Sequence, residues 1–265
     1  MRRGRIIRGL AAVTGALALG LPSAARAGTP PIVRPPNEGS MPSAALGEQL
    51  FAANCLRCHS VAGRGRQPAS STSTEREVGP PLQGVGAMAA DFYLRTGYMP
   101  LNDARDQPMR TRPAFDARER KALVDYVASL GSGPPVPEPH PERGVVATGR
   151  ELFTEHCAGC HQAVAEGGIM PGAKAPALDR ATPTEVAEAV RIGPYVMPKF
   201  SKRDISDQQL DSIVAYVQYA QNPDDAGGWG INHLGPFPEG MVAWFVAIFV
   251  LVGTCVAIGK RGARP

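Results

Sequence analysis

Two copies of one five-residue motif constrain the fold of this chain more than any other feature. Each copy consists of a cysteine, two variable residues, a second cysteine and a histidine; the first runs from Cys55 to His59 and the second from Cys157 to His161, 102 residues further along. Residues three apart share one face of a helix, so both sulfur atoms of a copy can lie on the same side. The chain therefore has to build, twice, a site that uses two thiols and the adjacent imidazole.

The motif is the attachment signature of c-type haem, in which two thiols bond one porphyrin edge and the histidine lies over the iron. A zinc site or a thioredoxin-like dithiol would not need a histidine directly after the second cysteine, and no βαβ pattern surrounds either copy. The sequence thus predicts two covalently attached c-type haems. The predicted cofactor-binding residues are Cys55, Cys58, His59, Cys157, Cys160 and His161, and the two histidines are the predicted iron ligands.

Each iron also needs a sixth ligand, unless the protein leaves that position open for a substrate. Met99 and Met197 are the candidates, because each stands directly before a proline, 40 and 36 residues after the histidine of its own motif. A lone methionine is more often a core residue, but these two occupy corresponding places. Met109 is the alternative in the first half of the chain. Methionine ligation raises the reduction potential of haem iron, which suits an electron carrier.

The motifs belong to an internal repeat. Further landmarks occur in the same order around both copies, namely the segments 49–51 and 151–153, 79–82 and 175–178, 95–100 and 191–198, and 124–127 and 214–217. A shared order of this kind indicates a duplicated domain. The Pro-rich segment 132–142 predicts a semi-rigid linker between the two domains, 43–131 and 143–222.

Helix signals recur in both halves, whereas no convincing alternating strand appears. Residues 116–119 and 206–209 resemble capping boxes that open amphipathic helices, and Thr182-Pro183 opens another. The sequence therefore predicts an all-α fold. A large apolar cofactor at the centre of each domain would supplement the modest core that a domain of this size can bury.

The first 27 residues have the composition of a secretory signal peptide. Four arginines stand among the first eight residues, an apolar run from 9 to 21 follows, and Ala25-Arg26-Ala27 supplies the cleavage site. A retained anchor is the alternative, but the run is shorter than the roughly 17–25 residues needed to span a bilayer. We expect cleavage after Ala27.

Residues 241–258 form a second apolar run, long enough to cross a membrane once. Lys260, Arg261 and Arg264 follow it, and the positive-inside rule then puts the C-terminus in the cytoplasm and the haem domains on the outer face of the cell membrane. The net charge of +4 comes from these two ends, because the rest of the chain has a small net negative charge. A nucleic-acid-binding surface is therefore not expected.

The whole layout resembles the dihaem cytochrome cc subunit of the actinobacterial-type cytochrome bcc complex, a menaquinol–cytochrome c reductase. The resemblance covers about residues 43–259 and rests on the two motifs, the Met-Pro segments, the segment 197–201 and the segment 235–241 before the C-terminal span. The last segment is the most specific, because many cytochromes share the haem motifs alone. The resemblance implies two tandem class I cytochrome c domains plus one C-terminal transmembrane helix. It also implies that Pro80 and Pro176 offer their carbonyl groups to the haem histidines, which would fix the orientation of each ring.

The function implied by the resemblance is electron relay in aerobic respiration. As the cytochrome c subunit of a quinol–cytochrome c reductase, a translocase, the chain would take electrons from the Rieske iron–sulfur subunit and deliver them to a terminal haem–copper oxidase. Quinol oxidation would reside in the partner subunits, which are cytochrome b and the Rieske protein, so no catalytic residue is expected in this chain. The alternatives are an anchored dihaem carrier for another oxidase or reductase, and a dihaem peroxidase with one open coordination position.

Overall fold

The computed structural model describes residues 31–70, 78–223 and 236–262, so the predicted signal peptide, 1–27, lies outside the described residues. Each half of the chain folds into a helical domain. The first contains α1 (Ser43–Asn54), α2 (Leu56–His59), α3 (Gly86–Arg95) and α4 (Ala117–Ser129). The second contains α5 (Val146–His156), α6 (Ala158–His161), α7 (Pro183–Ile192) and α8 (Asp207–Gln221). Short 3₁₀ turns at Glu38–Ser40, Val61–Gly63 and Pro141–Arg143 complete the helical elements of these domains.

The first and last helices of each domain cross at a glycine. A Cβ atom at Gly47 of α1 would overlap the backbone carbonyl of Ala122 in α4, and one at Gly149 of α5 would overlap that of Ser212 in α8. Only glycine permits so close an approach of two backbones. Next to each crossing two aromatic rings pack together, Phe51 with Tyr126 and Phe153 with Tyr216, with ring centroids 5.0 and 5.3 Å apart. The two domains are therefore built on the same helix crossing.

The helix starts predicted from the sequence are confirmed. Asp116 accepts a hydrogen bond from the backbone of Glu119 at the start of α4, and Ser206 accepts one from Gln209 at the start of α8. Thr182 forms a third capping box, with Pro183 as the first residue of α7. Each box satisfies backbone N–H groups that have no partner within the helix.

The all-α prediction is confirmed except for one small hairpin. Strands β1 (Gly168–Met170) and β2 (Ala173–Ala175) pair antiparallel around the turn Pro171-Gly172. The expectation that the chain contains no strand is wrong at this point, because three-residue strands are too short to show alternation in a sequence. A proline followed by a glycine with φ of 79° is the signal for the tight turn.

The two domains contact each other through α3 and α7. Beside these helices, the Arg110 side chain of the first domain donates hydrogen bonds to both carboxylate oxygens of Glu185 in α7. The same guanidinium also donates to the backbone carbonyl of Arg180, at 3.2 Å. A charged side chain thus bridges the domains where α3 meets α7.

The last helix, α9 (Pro236–Gly262), follows the second domain. The segment Gly240–Arg261 is long and apolar enough to cross a membrane, since 22 helical residues with a rise of 1.5 Å each extend about 33 Å. The side chains from 241 to 261 are exposed. Cys255, the cysteine outside the two motifs, lies in this helix as an exposed free thiol.

Candidate haem sites

A cavity in the first domain brings together three residues predicted from the sequence. Cys55, His59 and Met99 all line it, and Cys58 lies on the same helical turn, α2. Apolar side chains form most of the remaining wall, including those of Phe51, Leu82, Val85, Leu94, Leu123 and Val127. With its open mouth, the cavity spans about 1240 Å³.

The second domain repeats this arrangement. Cys157, Cys160, His161 and Met197 line one cavity, which spans about 1200 Å³ with its mouth. Its apolar wall includes Phe153, Leu178, Val186, Val190, Phe200 and Ile213. Met170, which reaches the cavity from β1, also lines it. The second cavity therefore presents two thiols, and the first presents one, with the second cysteine on the adjoining helical turn. Each site adds one imidazole and one or two thioethers within apolar walls, a donor set and a surface that fit an apolar, iron-containing ring.

Each motif histidine is oriented by a proline carbonyl. The Nδ1 atom of His59 lies 2.9 Å from the carbonyl oxygen of Pro80, and that of His161 lies 3.0 Å from the carbonyl of Pro176. Nδ1–H donates in both cases, so Nε2 is the nitrogen left free to bind a metal. Burial lowers the pKa of both imidazoles against the opposing effect of the proline carbonyls, which favours the neutral, metal-binding form.

The surroundings of the first cysteine in each motif disfavour a charged sulfur. Burial, together with the neighbouring Cys58, raises the pKa of the Cys55 thiol to about 12. In the second domain, burial and Cys160 raise the pKa of Cys157 to about 11. A thioether sulfur carries no charge, so a covalent bond to a porphyrin edge suits these positions better than a thiolate would.

The positions of the methionines differ in a way that bears on the sixth ligand. Met99 is half-buried in the wall of the first cavity, whereas Met109 is 57% exposed and lines neither cavity. This arrangement favours Met99 over Met109 in the first domain. In the second domain Met197 lies in the corresponding loop, and Met170 is an additional thioether in the cavity wall.

Tyrosines near the methionines form a wall between the two cavities. The sequence analysis did not predict this wall. Tyr98 precedes Met99 but lines the cavity of the second domain, and Tyr195, close to Met197, lines both cavities. Tyr93, in the wall of the first cavity, has its ring centroid 6.2 Å from that of Tyr98. The signal available in the sequence was a tyrosine one or two residues before the methionine in each repeat.

An acidic cluster elsewhere is structural. Oxygen atoms of Glu38, Asp116 and Glu119 lie within 4.8 Å of one another. The Glu119 carboxylate is fully buried, accepts a hydrogen bond from Arg34 at 2.5 Å and closes the capping box of α4. Its oxygens are therefore already engaged in holding the N-terminal segment against α4.

Comparisons with known proteins agree with the two-domain fold. Residues 44–131 match the family model described as cytochrome c, and residues 144–217 match the one described as cytochrome c oxidase, cbb3-type, subunit III. These matches cover both motifs. Cytochrome c domains bind haem covalently through such motifs.

Curated relatives identify the family over nearly the whole chain. The "Cytochrome bc1 complex cytochrome c subunit" of Corynebacterium diphtheriae is 33% identical, with 98% of this chain and 98% of the relative covered. The protein of the same description from Mycobacterium bovis is 34% identical over 87% of this chain and 82% of the relative. A "Cbb3-type cytochrome c oxidase subunit CcoP" of an Azospirillum species is 29% identical, over 64% of this chain and 60% of its own length. The chain is therefore an electron-carrying c-type cytochrome and belongs to the family of cytochrome bc1 complex cytochrome c subunits.

Proposed function

We propose that this protein is a membrane-anchored dihaem cytochrome that relays electrons from the Rieske protein of a quinol–cytochrome c reductase to a terminal haem–copper oxidase. The names of the relatives support the first half of this relay, because they describe subunits of the cytochrome bc1 complex. The likeness of residues 144–217 to an oxidase subunit supports the second half. Cytochrome b and the Rieske protein would then be partner subunits that oxidise quinol.

The residues that we propose for haem binding fall into two equivalent sets. Cys55 and Cys58 would bond one haem, with His59 and Met99 as iron ligands, and Cys157 and Cys160 would bond the other, with His161 and Met197 as ligands. The bound haem supplies one-electron oxidation and reduction. The chain supplies a free Nε2 on each histidine, apolar walls that limit access of water, and thioethers that favour the reduced state.

The observation that carries the relay is the aromatic wall shared by the two cavities. The Tyr93 ring lies against the first cavity and the Tyr98 ring against the second, and only 6.2 Å separates their centroids. Tyr195 joins both walls from the second domain. Two sites with a common wall suit transfer of electrons within one chain, without a mobile carrier between them.

The organisation of the chain follows from the same proposal. We propose cytochrome c domains at 43–131 and 143–222 joined by the linker 132–142, with 1–27 removed as a signal peptide. The helix containing 241–258 would anchor the protein, with Lys260 and Arg261 on the cytoplasmic side and the haem domains on the outer face. An anchor keeps the cytochrome beside its partners at high effective concentration.

The relay is tested with membranes from a strain that lacks this chain. We expect quinol-driven oxygen consumption to be lost and to return with the full chain, whereas residues 1–238 alone should restore only slow consumption. An artificial donor that reduces the oxidase directly should give normal consumption in every strain. Normal quinol-driven consumption without the chain would overturn the relay, and full activity of the 1–238 form would overturn the role of the anchor.

The shared wall is tested separately with the purified full chain. Tyr98→Ala should slow electron equilibration between the two haems, as followed by rapid photoreduction, without changing their absorption spectra. Tyr219→Ala is the matched control, because Tyr219 is 41% exposed and lines neither cavity. Equal rates in the Tyr98→Ala variant and the control would exclude a contribution of this wall.

A further inference from the structure

A fully buried carboxylic acid lies in the contact between the two domains. Glu188 lies on α7 with none of its surface exposed, and neither of its carboxyl oxygens has a hydrogen-bond partner in the described part of the chain. Buried polar groups are almost always hydrogen-bonded, so such an exception calls for an explanation. An ionised carboxylate in this position would be very costly.

The carboxyl group that faces Glu188 belongs to the other domain. Asp91 lies on α3, is also buried, and pairs with Arg95 at 2.5 Å. The other charged group acting on Glu188 from its own helix is Glu185, which is paired with Arg110. Two facing carboxylates have only acceptors, so they can hydrogen-bond each other only when one of them holds a proton.

The balance of these groups favours a proton on Glu188. Burial is the largest cause that raises its pKa, to about 9, and the negative charge of Asp91 is the next. Arg95 acts in the opposite direction, and Glu185 adds to the rise. Glu188 therefore holds a proton at neutral pH, because like charges in close contact disfavour two ionised carboxylates.

The position of this pair relates it to both haem cavities. Ala90 and Leu94, on either side of Asp91 in α3, line the first cavity. Glu185 and Ala189, on either side of Glu188 in α7, line the second. A change of charge in either cavity therefore acts across one helix on the proton of Glu188, in surroundings where screening by water is weak.

We propose that Asp91 and Glu188 form a proton-binding site that is coupled to the oxidation state of the protein. At a pH at which Glu188 is partly ionised, an electron taken up in a cavity adds negative charge that strengthens proton binding by the pair, and the ionised fraction of Glu188 takes up protons from solvent. When the electron leaves, the proton is released. This inference rests on the two haems of the proposed function. It does not depend on the Rieske protein or the terminal oxidase as partners.

The coupling has a definite sign. Proton affinity is higher in the reduced protein than in the oxidised protein, so the reduction potential falls as pH rises through the range in which Glu188 ionises. The charge of the added electron acts on the Glu188 carboxylate across one helix, in a medium of intermediate dielectric constant. This interaction corresponds to roughly a tenfold difference in proton affinity between the reduced and the oxidised protein. A tenfold difference corresponds to about 59 mV for a one-electron couple.

The test measures both haem potentials of the full-length holoprotein in detergent between pH 6 and 10. In the unmodified protein we expect at least one potential to fall between pH 8 and 10. Glu188→Gln keeps the shape of the side chain and supplies a donor to Asp91, so its potentials should lose this pH dependence. Glu155→Gln, an exposed control on α5, should retain it.

A second measurement does not depend on the potentials. The infrared spectrum at pH 7 should contain the C=O band of a protonated carboxyl group, and Glu188→Gln should remove that band while Glu155→Gln keeps it. If Glu188→Gln does not yield folded holoprotein, Asp91→Asn serves instead, because loss of the facing charge should move the pH-dependent range downward. Unchanged pH dependence in both variants would overturn the proton site. The measurement uses the isolated chain, so failure of the relay in membranes would leave this result unaffected.

Discussion

Arg110 in the first domain donates from a single nitrogen, Nη2, to both carboxylate oxygens of Glu185 in the second, at 3.1 and 3.0 Å. The Glu185 side chain is 4% exposed and that of Arg110 is 32% exposed, so the pair is largely shielded from water. Glu185 also accepts a hydrogen bond from the backbone of Thr182 at the start of α7. One carboxylate thus secures a helix start and the contact between the domains.

Removal of this arginine should weaken the second domain. Arg110→Ala leaves the Glu185 carboxylate buried without its cation, and we expect a loss of about 1–3 kcal/mol in the free energy of unfolding. Arg105→Ala is the control, because Arg105 pairs with Asp103 on the same loop but is 54% exposed. Urea unfolding of the purified holoproteins measures both. Similar losses in the two variants would show that the interdomain pair does not contribute to stability.

The glycines at the helix crossings should tolerate no side chain. Gly47→Ala and Gly149→Ala would each place a methyl group on a backbone carbonyl, so the helices would have to separate and the crossing would lose contacts. Overpacking of this kind costs about 1–3 kcal/mol or more. Gly39→Ala is the control, because a Cβ there meets no atom within 4 Å. Thermal unfolding should separate the two crossing variants from the control, and equal midpoints would contradict the close approach.

Features fixed by neighbouring residues could be predicted from the sequence. The capping boxes at Asp116 and Ser206 depend on residues three apart, and the two histidine motifs depend on residues within one turn. The crossing glycines each stand eight residues before a motif, so comparison of the repeats could have found them. The contact between Arg110 and Glu185 joins residues 75 apart on separate domains. No local pattern encodes how two domains dock, so this contact required the structure.

Two haems should be attached to each chain. The intact mass of the mature holoprotein should exceed that of the polypeptide by two haem additions, and a single addition would contradict the two-site prediction. Cys58→Ser should lower or abolish attachment in the first domain only, and Cys160→Ser in the second only, because each variant removes one of two thioether bonds at its own site.

The methionine ligands can be distinguished by single substitutions. Met99→Ala and Met197→Ala should each remove the methionine-ligand absorption feature of one haem and lower its reduction potential, because a thioether ligand favours the reduced iron. Met109→Ala should leave both haems unchanged, since its side chain is exposed and lines neither cavity. Loss of the feature in Met109→Ala, together with its retention in Met99→Ala, would move the ligand to Met109. Rapid binding of an external ligand by the unmodified reduced protein would instead favour a peroxidase.

The buried acid between the domains should make stability depend on pH. In the unfolded chain Glu188 ionises near its ordinary pKa of 4.5, whereas burial and Asp91 raise its pKa to about 9 in the folded chain. Between these values the folded state holds the extra proton, so stability falls as pH rises, by at most about 1.4 kcal/mol per pH unit. Glu188→Gln removes this dependence. The free energy of unfolding of this variant, relative to that of the unmodified protein, should therefore be higher at pH 9 than at pH 5. Urea unfolding at pH 5, 7 and 9 measures the difference, with Glu155→Gln as the exposed control. A constant difference between Glu188→Gln and the unmodified protein at all three pH values would mean that Glu188 ionises normally in the folded chain, and that water or a small movement of α3 against α7 relieves its burial.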